Sequence, residues 1–201
     1  MAVFVTKLKV DPNYAFAVVA LDEINIAVTS PKINDLCIMF IDLYSKEVTK
    51  IKTKYECRAI TVRDGKLLSI SPKLGILSID ANNGNVLSTI EKRLPNYTLL
   101  TSFKSKLYIG DPDINTISCC EMDGTTIWSF KDDTVITNPR GIAVDGMGNV
   151  YITNGDQNNV TVISSDGNQS KQLLSKVDGL KIPTAIQYDR KTKSSVSGKL
   201  C

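Results

Sequence analysis

"NPRGIAVDGMGNVYITNGDQNNVTVISSDG", residues 138–167, holds two short apolar alternations between tight-turn signals and the start of a third. Whether it stands alone or recurs decides the fold. Taking Val150-Tyr151-Ile152-Thr153 as an anchor, "KLYIGDP" places Leu107 at the matching position, "KLLSISP" places Leu67 and "INIAVTSP" places Ile26. The anchors lie 41, 40 and 43 residues apart, and a degenerate copy, "TKSSVSG", puts Ser194 another 44 residues on. The stretch is one unit of a repeat with a period of 40 to 44 residues.

Every unit has the same internal order. A short apolar strand ("AFAVVAL", "RAITVRD", "TLLTSFK", "GIAVDGM") leads through a turn into the anchor strand. A polar loop follows, then a third strand ("LCIMFID", "LGILSID", "TISCCEM", "NVTVISS"), a second turn and a more polar fourth strand. Four short strands joined by hairpin turns form a meander. A meander of this length is the unit of a β-propeller, because one sheet cannot cover both of its apolar faces and must stack against a neighbour.

The expected fold is therefore all-β, a single propeller domain over residues 1–201. Blades fall at about 14–56, 57–95, 96–138 and 139–181, with a partial blade at 182–201. The second strand of the partial blade carries Ser194 where the others carry Val, Leu or Ile, too little apolar content to close a ring. The chain thus reads as part of an incomplete ring whose open ends would expose Phe16, Val18, Ile26 and Val28 on one side. Ile163, Leu173, Leu174 and Ile186 would be exposed on the other, inviting self-association. The alternative is a five-blade closure in which Val3, Val5, Leu8 and Val10 supply the missing outer strand.

The opening stretch resembles an NHL repeat, through Pro139, Gly141, Ile142, Ala143, Val144, Asp145, Gly148, Val150, Tyr151, Asn158 and Val160. The following "KQLLSKVDGLKIPTAIQYDRKTK" is similar to the last blade of the large tripartite-motif proteins of molluscs and other invertebrates. The resemblance implies a C-terminal recognition propeller of a ubiquitin-ligase-like protein, with protein partners or ubiquitination substrates and, in some members, RNA. It also implies a zinc-binding RING, which these 201 residues do not contain. Two positions depart from the pattern: Asn154 stands where the family has Asp, and Asn159 where it often has Arg. NHL propellers that bind RNA use a basic top surface, so the missing Arg weakens the case for RNA, and the small net charge favours a protein ligand.

Composition narrows the chemistry. There is no histidine, which removes Ser-His-Asp and Cys-His catalysis, His-ligated zinc and a histidine pH switch. Cys37, Cys57, Cys119, Cys120 and Cys201 are odd in number and form no C-x-x-C pair, which fits reduced thiols in the cytoplasm. A net charge of +3 is too small to imply nucleic acid or a membrane, and no apolar run is long enough to span a bilayer. The expected role is a non-catalytic interaction scaffold without cofactor or metal.

Function in such a scaffold sits in loops gathered at one rim. The candidate partner-binding residues are Asp111, Asp113, Asn154, Asp156 and Asn158, which follow second strands. Their oxygens also suit calcium, which makes a calcium-dependent lactonase-like hydrolase a further alternative, although the spacing matches no defined calcium loop. Asp145-Gly146 and Asp166-Gly167 read as turn chemistry, and Trp128 and Tyr108 as packing between blades.

Overall fold

The structure is a computed structural model that describes residues 14–189 and 194–196, so the alternation at Val3–Val10 lies outside the described residues. It is all-β, with one 3₁₀ turn at Lys176–Asp178 as the sole helical element among the described residues. Four blades follow one another, each a four-stranded antiparallel sheet in chain order. The first contains β1 (Ala17–Ala20), β2 (Asn25–Ser30), β3 (Cys37–Asp42) and β4 (Val48–Lys52), and the second β5 (Ile60–Arg63), β6 (Lys66–Ser71), β7 (Gly75–Asp80) and β8 (Val86–Glu91). The third contains β9 (Leu99–Phe103), β10 (Lys106–Asp111), β11 (Thr116–Glu121) and β12 (Thr126–Lys131). The fourth contains β13 (Pro139–Val144), β14 (Val150–Asn154), β15 (Asn159–Ile163) and β16 (Ser170–Leu174). A two-stranded sheet, β17 (Gln187–Asp189) with β18 (Ser194–Val196), comes last. The chain divides into two compact units between Glu91 and Lys92, with two blades in each.

The turns show why this sequence makes hairpins. Asp64 and Gly65 both take left-handed backbone, φ 48° and 71°, as a type I′ turn requires. Asp42 accepts the backbone N–H of Tyr44 and of Ser45 at 2.8 Å each, and Asp80 that of Asn82 at 2.8 Å. One position recurs in all four blades. Eight residues after each anchor, in the turn between second and third strands, stand Asn34, Gly75, Asn115 and Asn158, with φ 76°, 113°, 51° and 55°. Glycine and asparagine are the residues that take this conformation at least cost.

In the first unit Ala27 and Ile38 of the first blade pack with Ile60, Leu67, Leu77 and Ile79 of the second. The Thr29 hydroxyl donates to the Arg58 carbonyl at 2.7 Å, tying the first blade to the strand connection that enters the second. In the second unit Tyr108, Ile117 and Cys119 of the third blade meet Val144, Val150, Ile152 and Ile163 of the fourth. Val162 pairs with Tyr151 and so lies on the face opposite Val150 and Ile152. Trp128 closes the seam: its ring meets Tyr108 edge-on at 6.3 Å, and its Nε1 donates to the Ser165 carbonyl at 3.0 Å. Cys119 and Cys120 are both buried.

The residues expected at the open ends differ in exposure. Val28 and Ile163 are buried, and Phe16, Ile26, Leu174 and Ile186 are half-buried. Val18 and Leu173 remain exposed. Ile163 points into the seam with the third blade. At the far side of the fourth blade the backbone of Ala185 and Ile186 passes so close to Gly141 that a Cβ there would lie 3.0 Å from the Ala185 Cα. This close approach explains the glycine.

Asp145 organises the β13–β14 turn. Its buried carboxylate accepts from the backbone N–H of Met147 and Asn149, from Asn149 Nδ2 and from the Tyr151 hydroxyl, at 2.8 to 3.1 Å. Burial alone would raise its pKa, but these four donors outweigh it, Asn149 foremost, and hold the carboxyl below its ordinary value. A depressed carboxyl stabilises the fold above its unfolded pKa, and that stability is lost as the pH falls through the folded value. Asp145→Asn is therefore expected to lower stability at pH 7 by about 1–3 kcal/mol. The gap to the native chain should close below about pH 4, as measured by urea denaturation across a pH series.

Two glycines give a second check. A Cβ at Gly167, which has φ 75°, would lie 2.6 Å from the Trp128 ring, whereas one at Gly146 meets nothing within 4 Å. Gly167→Ala is expected to cost about 2 kcal/mol and Gly146→Ala to stay within about 0.5 kcal/mol of the native chain, both measured by the same denaturation assay.

Candidate functional site

In an antiparallel meander the connection from second to third strand and the connection that leaves the fourth emerge at the same end of the blade. In the second unit this end carries the 112–115 turn, the 132–138 connection, the 155–158 turn and the 175–186 connection. Four of the five expected residues lie there as surface groups. Asp111, the half-buried last residue of β10, accepts the Asp113 backbone N–H at 3.0 Å, and Asp113 is exposed. Asp156 is exposed, and Asn158 is half-buried in its left-handed turn.

Asparagines missed at the sequence level join these loops. Asn115 donates to Asp133 Oδ1 at 3.2 Å and accepts from the Asn138 backbone N–H at 3.0 Å. The Asn138 side chain donates to Asp156 Oδ1 at 2.8 Å, and its carbonyl accepts from the Gly155 N–H at 3.2 Å. Gln157 Nε2 reaches the Thr134 carbonyl at 2.9 Å, and Asn158 Oδ1 accepts from Ile182 at 2.7 Å. A belt of amide hydrogen bonds thus fixes four loops against one another. The signal for Asn115 was present in the sequence as the repeat position it shares with Asn34, Gly75 and Asn158. Asn138, also left-handed at φ 48°, precedes β13 and has no such mark. On the belt stand two exposed apolar side chains, Ile114 (52% exposed) and Ile182 (53%).

Asn154 is the exception. It is fully buried and offers nothing to a partner. Its Nδ2 lies within hydrogen-bond reach of Asn159 Oδ1 (2.7 Å), Thr161 Oγ1 (3.1 Å) and the Val135 carbonyl (3.2 Å), while its Oδ1 accepts from the Thr137 N–H at 3.3 Å. Asn154 and Asn159 are register partners on β14 and β15. Asn154 and Asn159 therefore face each other as a neutral amide pair. Position 159 is itself buried, so the absence of Arg there carries no information about a basic binding surface.

The corresponding end of the first unit differs in charge. Lys50 bonds Asp35 at 2.6 Å, and with Lys32 and Lys52 also close by the carboxyl is held below its ordinary value. Arg58 pairs with Glu56 at 2.6 Å and stacks 5.1 Å from the Phe16 ring. Lys32, Lys52, Lys54 and Lys73 are exposed. Among the described residues no three His, Cys, Asp or Glu side chains are gathered as a metal would need. No helix there is long and apolar enough to cross a membrane.

The amide pair yields a direct test. Asn154→Asp buries a carboxylate beside neutral amides and is expected to cost about 2–4 kcal/mol. Adding Asn159→Arg should recover part of that loss, with a coupling of about 1–3 kcal/mol in a double-mutant cycle read by thermal or urea denaturation.

No protein-family model matches the sequence, and no curated protein matches it. Solved structures do. A selenomethionine-substituted virginiamycin B lyase from Staphylococcus aureus aligns with TM-score 0.60 and 16% identity, over 85% of this chain and 56% of that one. The quinupristin complex of a catalytically inactive variant of the same lyase aligns with TM-score 0.62 and 15% identity, over 87% and 60%. The WD40 β-propeller domain of Doa1 aligns with TM-score 0.61 and 14% identity, over 81% and 56%. The chain thus spans less than two thirds of the length of each of these structures. At these identities the likeness shows fold alone, and that fold is the β-propeller, here with four blades.

Proposed function

We propose that the chain is a non-catalytic protein-recognition scaffold, the NHL-type propeller of a tripartite-motif ubiquitin-ligase-like protein acting in the cytoplasm. The observation that carries this reading is the amide belt of the second unit. It holds four loops in one fixed arrangement and sets exposed Asp113, Asp156, Ile114 and Ile182 upon it. A preorganised surface mixing apolar and charged groups suits a folded protein partner, because little ordering entropy is left to lose on binding. The four buried free thiols support a reducing compartment. One of the similar structures is a lyase whose histidine-to-alanine variant is described as catalytically inactive, and this chain has no histidine to play such a part. Ligase chemistry would need a RING module, which these residues do not include.

A second reading has a specific observation behind it. The loop end of the first unit carries exposed Lys32, Lys52, Lys54 and Lys73, positive charge that a phosphate backbone would attract, so RNA is the alternative ligand.

The test is an affinity capture from an extract of the encoding organism, with and without RNase, using the native chain and Asp113→Arg/Asp156→Arg. Protein partners retained after RNase and weakened about tenfold or more by the double substitution are expected. Capture that vanishes with RNase, falls steeply with salt and ignores the double substitution would transfer the assignment to RNA.

A further inference from the structure

The loop end of the first unit carries a charge that its own residues do not balance. There the 31–36 turn lies against the residues that leave β4, fixed by the Thr53 N–H, which donates to the Leu36 carbonyl at 3.0 Å. Lys32, Lys50 and Lys52 all act on one carboxylate, Asp35, which Lys50 bonds at 2.6 Å. One carboxylate cannot balance three ammonium groups. Residues 31–36 and 50–54, with Lys54 among them, contain no other acid. Lys32, Lys52 and Lys54 are exposed, and Ile33 stands beside Lys32 with 83% of its surface open. An aliphatic side chain gains little from a phosphate group, so the patch as a whole suits a surface that is both acidic and apolar.

The amide belt of the second unit is such a surface. Residues 111–115, 132–138 and 155–158 include Asp111, Asp113, Asp132, Asp133 and Asp156 and no Lys or Arg. The 175–186 connection adds Lys176, Asp178 and Lys181, which leaves the four loops acidic. Asp113, Asp133 and Asp156 are exposed. Asn115 and Asn138 hold Asp133 and Asp156, each through one carboxylate oxygen, so these acids are placed before a partner arrives. Ile114 has in the third blade the place that Ile33 has in the first: each directly precedes the left-handed asparagine of its turn, Asn115 or Asn34.

We propose that the chain associates with a second copy of itself, the lysines around Asp35 of one copy docking on the belt aspartates of the other while Ile33 packs against Ile114 and Ile182. An apolar centre ringed by complementary charge is how specific interfaces are built. The two patches differ, so the contact is heterologous. It rests on the reading of the belt as a docking surface, and a second copy seated there competes with any other partner.

The experiment is sedimentation velocity of the nuclease-treated full chain over a concentration series. Concentration-dependent association is expected at low salt, weakening sharply in about 1 M salt, where the Debye length is about 3 Å. Lys32→Glu/Lys52→Glu and Asp113→Arg/Asp156→Arg should each weaken it roughly tenfold or more. An equimolar mixture of the two variants should associate again, because the acidic patch of one then meets the basic belt of the other. Damage to the fold gives no such rescue, and circular dichroism checks that both variants fold. Should the aspartate variant not fold, the lysine variant and the salt series decide by themselves. A monomer at every concentration overturns the proposal, as does association indifferent to salt or to the lysine reversal, or a mixture of folded variants that stays monomeric. Association lost on nuclease treatment also overturns it and assigns the lysines to RNA. Partner capture is read separately. RNase-resistant capture by a chain that never self-associates leaves the recognition reading standing without this proposal, and rescued pairing with no such capture does the reverse.

Discussion

A four-stranded blade of this sequence is apolar on both faces, and no single blade can be stable alone. That constraint governs everything else in the chain. In the second unit Ile152 and Val150 are covered by Tyr108, Ile117 and Cys119 of the preceding blade. In the first unit Leu77 and Ile79 are covered by Ala27 and Ile38. A fully buried Val, Leu or Ile contributes about 1.5–3 kcal/mol, so a seam of seven or eight buried residues outweighs any turn or ion pair described here. The seam takes in Cys119 of the third blade, while Cys120, its neighbour on the strand, faces the opposite way and is buried as well.

The ends of the seams are polar, and there the molecule becomes individual. Towards the loop end of the second unit the apolar column Val150–Ile152 gives way to Asn154, which is as buried as they are but bonded to Asn159, Thr161 and the Val135 carbonyl. A buried polar group is tolerated only when its partners are all present. Here they come from two strands of one blade and the loop of the preceding one. The amide cluster therefore locks the 132–138 connection to the fourth blade. The belt through Asn115, Asn138 and Asp156 continues that lock outwards to the surface. The same asparagines that settle the backbone also set which hydrogen-bonding groups remain for a ligand.

Asn158 shows how a pattern residue can be read correctly and for an incomplete reason. In the sequence it belongs to a recurring motif and sits in a loop, which marks it as a contact candidate. In the structure its first duty is conformational, a left-handed turn shared with Asn34, Gly75 and Asn115, and its side chain then holds Ile182. Asn154 was placed in the same candidate set because it follows a second strand. Its strand continues one residue further than a loop reading allows, so its side chain falls on the seam.

The sequence by itself determined the blade: the 40-to-44-residue period, the period-2 alternation and the Asp, Asn and Gly of the turns are local signals, and each is set by backbone sterics within a few residues. It also determined the catalytic groups that are missing, since a chain without histidine cannot use one. Only the tertiary structure decided which polar residues are inside. Asn154 and Asn159 lie five positions apart in sequence and Asn115 and Asn138 twenty-three, and nothing local distinguishes the buried pair from the half-buried one. Burial depends on what the neighbouring blade lays across a strand. That is a property of packing between segments distant in sequence, and no short window of the chain contains it.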